Sequence, residues 1–258
     1  MNQKLMIAIV LLVVVYFVVY QDLFFIHPRG NFTFLTRDET SNFFIKDIDG
    51  YVESMTDIDV IAQGRTSKMD FINAISDAAD SFTLNEKWKC KKACTYADDW
   101  IRTKMGNYTG IDNKKLADIP WKLSLTRGTA NEEGLPHTRT DVIFLSDQVL
   151  ALSPRELART LVHEKIHVYE RMYPADLDIW MNANGYKRYK RQSEYPNARS
   201  NPDVDGWVYL RPDGKPTVVL YRNNKPKGID DVTYPGPQHP NTEHPFETLA
   251  YLVDATVR

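Results

Sequence analysis

The chain has 258 residues, 43% of them hydrophobic, and its 32 Lys and Arg against 34 Asp and Glu give a formal charge of -2. That length holds one globular domain of ordinary size plus an appendage. The balanced charge leaves no basic footprint, which argues against nucleic acid as a partner.

The appendage comes first. Leu5 to Tyr20 is an unbroken uncharged run, and Leu23-Phe24-Phe25-Ile26 follow Gln21-Asp22. Together they reach transmembrane length, and no small-x-small cleavage site follows. The expectation is an N-terminal transmembrane anchor over residues 1–26, with residues 5–26 in a lipid bilayer. Lys4 is the one basic side chain before the run. A cytoplasmic N-terminus follows, with the domain lumenal or extracellular. Residues 27–66 read as a stalk that packs onto the domain, and residues 67–258 as the domain itself.

Ser67 to Lys104 carries helical periodicity, with Phe71, Ile72, Ile75, Ala78, Ala79 and Phe82 as core positions. Cys90 and Cys94, on that stretch, read as free half-buried thiols; alone they cannot make a four-ligand zinc site. Trp121–Arg127 and Thr140–Ser146 read as a pair of strands. Ser153-Pro154-Arg155-Glu156 is a helix start, with a capping Ser, a first-turn Pro and a capping-box Glu. Pro174 ends that helix, giving a span of about 154–173. An insertion at about 175–235 follows. Within it, Lys187–Arg191 is a basic cluster expected on a solvated face or loop. Pro212-Asp213-Gly214 between two β-rich runs predicts a hairpin. Pro245 then opens a last helix with an apolar stripe of Phe246, Leu249, Ala250 and Val253.

The 154–173 helix carries His163-Glu164-Lys165-Ile166-His167, an H-E-x-x-H motif. At i and i+4 the two imidazoles share one face and can grip one metal ion, leaving Glu164 beside it as a proton carrier. Such a pattern points to Zn²⁺ and hydrolysis, most directly of peptide bonds. The longer metzincin pattern is excluded, because Glu170 stands where that motif has Gly and Tyr173 where it has its last His. Glu170 is better placed to accept from a histidine N–H than to reach the ion, with a solvated surface carboxylate as the alternative reading. A di-metal carboxylate bundle is disfavoured by the strand-rich segments.

A third ligand is needed, and Glu247 with Ala250 three residues on resembles the second active-site helix of the gluzincin metallopeptidases. The resemblance implies an α+β, zincin-like fold, a small mixed sheet with active-site helices. It also implies metal ligands His163, His167 and Glu247, with Glu243 as runner-up, and Glu164 as the catalytic base. In that family the strand nearest the cleft holds substrate backbone by β-addition, which places residues near His137 to Leu145 along the cleft. Tyr221, Tyr234, His239 and His244 are candidate oxyanion donors. The long separation of Glu247 from His167 departs from the family pattern. The layout also resembles zincin-like proteins of large DNA viruses and algae. Two functions are therefore expected: a membrane-anchored zinc metallopeptidase acting on a peptide or protein substrate, or a membrane-anchored structural protein, such as a virion capsid–membrane linker, whose partners are structural proteins.

Overall fold

The structure, a computed structural model, describes residues 30–234 and 243–257. The expected anchor at residues 1–26, and His239, lie outside those residues. Among the described residues no helix is long and apolar enough to cross a membrane.

The fold is mixed α+β, built on a small mixed sheet. Strand β1 (Phe32–Phe34) runs parallel to β3 (Trp121–Thr126), and β2 (Ala79–Asp80) pairs antiparallel with the far end of β3. On the other side β5 (Val142–Ser146) runs parallel to β3, and β4 (His137–Arg139) closes the sheet antiparallel to β5. The two strands anticipated near residues 121–127 and 140–146 thus exist as parallel neighbours, and β4 between them in sequence forms the edge. Every residue of β5 is buried, as a strand covered on both faces requires. Its side chains alternate between two cores. Val142 and Phe144 join Phe43, Phe44, Phe71 and Ile75. These come from α1 (Arg37–Lys46) and α4 (Lys68–Asp77), with the short helices α2 (Tyr51–Ser54) and α3 (Asp57–Ala62) between them in the chain. Ile143 and Leu145 join the larger core with Leu123, Leu125, Leu157 and Leu161. That core includes α5 (Leu84–Thr103) and, past the short α6 (Asn113–Asp118) and α7 (Asp147–Ala151), the long α8 (Pro154–Met172).

Two segment readings change. Residues 32–62 are not a stalk laid on the domain: β1 is a strand of its sheet, and Phe43 and Phe44 pack against Phe144 at ring distances of 5.2 and 5.1 Å. The periodicity across residues 67–104 divides at β2, where Ala79 joins the sheet and separates α4 from α5.

Helix α8 starts as its sequence dictates. Ser153 accepts from Glu156 N, Glu156 accepts from Ser153 N, and Pro154 sits in the first turn. It ends before Pro174, which opens α9 (Pro174–Ala183). Packed on α5 and on α10 (Pro245–Asp254), α8 is buried along most of its length. Each fully buried Leu contributes roughly 1.5–3 kcal/mol, so the position of α8 is set by Leu157, Leu161 and Ile166 rather than by its polar residues.

In the later segment β6 (Lys187–Arg191) pairs with β7 (Trp207–Leu210), and β8 (Leu220–Tyr221) with β9 (Val232–Thr233). The turn at Arg211–Lys215 forms, and Thr217 N donates to the Tyr209 carbonyl across it at 2.7 Å, but the returning chain pairs only at Pro216 with Leu210 and makes no strand there; β7 has β6 as its ladder partner. Strand β6 carries its basic residues on an exposed face. Cys90 and Cys94 are free and fully buried rather than half-buried, and burial pushes Cys90 up to about 12.

Candidate metal centre

His163 and His167, one turn apart on α8, point their Nε2 atoms towards each other at 3.2 Å. Glu247, in the first turn of α10, completes the group: its Oε2 lies 3.4 Å from His163 Nε2 and 3.8 Å from His167 Nε2. Three donors each about 2.0–2.1 Å from one ion at tetrahedral angles stand about 3.3 Å apart, so the spacing fits a shared cation.

The rings are held from behind. His163 Nδ1 donates to Asp254 Oδ2 at 2.9 Å, and His167 Nδ1 donates to Glu170 Oε2 at 2.8 Å. With Nδ1 so engaged, each imidazole can turn an Nε2 lone pair to the centre once that nitrogen is free of its proton. Arg159 fixes Asp254 through Nε at 3.1 Å and Nη2 at 2.8 Å. Asn201 donates its amide to Glu247 Oε1 at 3.0 Å, leaving Oε2 for the histidines.

The charge around this centre is unbalanced. Glu164, Glu170, Asp203, Glu247 and Asp254 are all buried, and Glu170 Oε1 is buried with no partner among the described residues. Burial pushes Glu170 and Asp203 well above the usual carboxylate range. For Glu247 burial acts in the same direction, but the hydrogen bond and charge of His163 and the charge of His167 overcome it and hold the carboxyl well below that range. Burial drives His167 well below the ordinary histidine value; it also opposes the charge on His163, where Asp254 and Glu247 prevail and raise it. Converging lone pairs and an excess of buried carboxylates are what a bound cation would neutralise. Two imidazoles and one carboxylate form a three-ligand set suited to zinc with one position open.

That open side is a cleft of about 760 Å³ reached by His163, Glu164 and Glu247. Glu164 is buried, takes a hydrogen bond on Oε2 from Thr138 Oγ1 at 2.9 Å, and is pushed up to about 7, chiefly by burial.

Other expectations separate. Glu243 does not join the cluster: it pairs with Arg199 and accepts from Asn201 at 3.2 Å. Among the oxyanion candidates, Tyr234 lines the cleft. Tyr221 donates to Asp59 at 3.1 Å, and His244 caps α10 by accepting from Phe246 N at 3.2 Å, so both are spent on structure. Tyr251 was missed. It lines the cleft one turn after Glu247 and meets the His163 ring edge-on at 4.7 Å.

The β-addition expected along residues 137–145 has no free edge at β4. Thr138 is the β4 residue whose backbone faces away from β5. Its N–H donates to Asp203 Oδ1 at 2.6 Å, and its carbonyl accepts from Arg171 Nη2 at 3.2 Å. His137 alone of that stretch lines the cleft, which continues along the preceding loop at Glu132, Glu133, Leu135 and Pro136.

Comparison with protein-family models, with curated proteins and with solved structures gives no match to this chain.

Proposed function

We propose that this protein is a zinc-dependent peptidase of the gluzincin type, with a zincin-like fold, held at a membrane by residues 5–26. The observation that carries this reading is the meeting of His163 Nε2, His167 Nε2 and Glu247 Oε2 within 3.8 Å of one another, beside a buried Glu164. When bound, the ion supplies a Lewis acid that brings its water near neutral acidity and polarises the scissile carbonyl. Glu164 does the proton work. With Oε2 held by Thr138, its other oxygen accepts a proton from the attacking water and delivers it to the leaving nitrogen as the C–N bond breaks. A carboxyl poised near 7 can both take and return that proton at neutral pH. Tyr234 and Tyr251, the phenols on the cleft, are the groups available to stabilise the carbonyl oxygen as it gains charge.

The test is Glu164→Gln. It should retain one equivalent of zinc, measured by atomic absorption, and lose roughly 10²-fold or more of hydrolysis. Retained hydrolysis would remove Glu164 from this role. Glu247→Ala should lose the zinc itself.

A further inference from the structure

On one side the cleft is walled by residues 199–203. The chain at Arg199–Asp203 crosses there as a strap, tied to three elements. Asn201 reaches Glu247 on α10, Asp203 takes the N–H of Thr138 on β4, and the Pro202 carbonyl accepts from Arg171 on α8 at 2.5 Å. A second cavity of about 630 Å³ lies beyond, and Ser200, Asn201 and Pro202 line both. The strap thus stands between the two cavities. It is braced from outside, since Asp59 accepts from Ser200 N at 2.8 Å and from Ser200 Oγ at 2.9 Å.

This side of the cleft offers a hydrogen-bond acceptor. Asp203 faces the cleft and is 8% exposed. One of its oxygens accepts from Thr138 N, and the other has no hydrogen-bond partner among the described residues. Among the described residues, none of the nearby arginines hydrogen-bonds Asp203. Arg171 serves the carbonyls of His167, Thr138 and Pro202; Arg199 serves Glu243 and the Ile229 carbonyl; Arg159 serves Asp254. An ammonium group would find an open acceptor there.

The geometry points to a pocket for a free peptide amino terminus: the strap blocks the chain from running past the metal centre, and Asp203 receives the α-ammonium. Built on the peptidase reading above, this makes the enzyme one that removes a short amino-terminal piece, with the rest of the substrate leaving along the Glu132–His137 loop. Hydrolysis is then ordinary: water adds its OH to the carbonyl carbon and its proton to the departing amine.

Binding and cleavage can be tested separately. Zinc-loaded Glu164→Gln protein is titrated with two peptides of one sequence, labelled at the C-terminus, one with a free amine and one N-acetylated. Fluorescence anisotropy should show the free-amine peptide binding at least roughly tenfold tighter. Equal affinities, a preference for the acetylated peptide, or binding of neither overturns the inference. Adding Asp203→Asn should narrow the ratio to within about twofold; the two-peptide comparison with the native strap decides the matter even if that variant fails to fold. With the wild-type enzyme, mass spectrometry should show trimming of the free peptide from its amino end and an intact acetylated peptide. Internal cuts in both would refute the amino-terminal pocket while sustaining the peptidase. A tenfold preference with no cleavage of either peptide would sustain the pocket and remove the peptidase.

Discussion

Asp254→Ala isolates what holds the first histidine in place. In the native site one carboxylate oxygen takes the His163 Nδ1 proton at 2.9 Å and the other takes both bonds from Arg159. Removal leaves a buried ring N–H unpaired and the ring free to turn on χ2. It also lets the Nε2 lone pair swing from the point it shares with His167 and Glu247. Loss of such a carboxylate behind a ligand costs ten- to a hundredfold in metal affinity, about 1.4–2.8 kcal/mol. Loss of the Arg159 pair does not account for this, because the Arg159 side chain is 50% exposed and such pairs contribute about 0–1 kcal/mol. Arg159→Ala should therefore weaken zinc by less than about threefold, and Asp254→Asn, which keeps an acceptor, should fall between the two. Competition against a chromophoric zinc chelator reads the affinities, with far-ultraviolet circular dichroism confirming that each variant is folded. An Asp254→Ala protein binding zinc within twofold of wild type would show that the ring is held by packing, against Tyr251 for example, and that the carboxylate is incidental.

Further outcomes follow from the rest of the fold. Burial holds His137 down at about 3, below its ordinary 6.5, so the unfolded chain takes up the proton first. Stability from this residue is complete above pH 6.5 and falls by up to about 1.4 kcal/mol per pH unit down to about pH 3. Urea unfolding at pH 7 and pH 4.5 should show a shallower loss in His137→Phe than in wild type, and equal slopes would refute the assignment. Lys165→Met strands Asp98, which now accepts from Lys165 at 2.5 Å and from Trp121 at 3.0 Å. The cost should be about 3 kcal/mol in denaturant, largely recovered by adding Asp98→Asn, and an unaltered midpoint would contradict it. Gly110 has φ +83°, and a Cβ there would stand 2.5 Å from the Asp176 carbonyl. Gly110→Ala should lower stability by more than about 2 kcal/mol, and a thermal midpoint equal to wild type would show that the turn can relax.

What could be read from the sequence was what local chemistry writes. The start of α8 lies in Ser153, Pro154 and Glu156, three residues whose caps need no distant partner, and the metal pair follows from helical spacing alone. The parallel order of β1, β3 and β5 could not be read, because β1 is three residues long and pairs with a strand far along the chain. Strand β4, a polar His-Thr-Arg, has no alternation to detect. Asp254 did leave a signal: it lies seven residues, two helical turns, after Glu247 and so shares its face of α10. Asn201 and Asp203 left none. They sit in an irregular segment, and their partners Glu247 and Thr138 are brought to them by tertiary packing.

The same packing explains why the amino-terminal helices matter to a site none of whose ligands they supply. Asp59, at the third position of α3, is 1% exposed and gathers Ser200 N, Ser200 Oγ and the Tyr221 hydroxyl. Tyr51 on α2 donates to the buried Glu132 at 2.9 Å, at the start of the loop that lines the other wall. Glu132 and Glu133 both hold positive φ, 46° and 53°, a conformation that costs a non-glycine residue about 1–2 kcal/mol and persists where surrounding contacts fix it. Residues 51–59 thus brace both the strap and the loop opposite it, while α8 and α10 carry the metal centre between them. The division of labour is physical: the motif helix is stable through its own apolar burial, and its histidine rings are held by Asp254 and Glu170 rather than by α2 and α3. The cleft walls are irregular backbone whose shape depends on a few buried hydrogen bonds to α2 and α3. On the peptidase reading, a change at Asp59 should therefore alter which chain enters the cleft before it alters whether metal is bound.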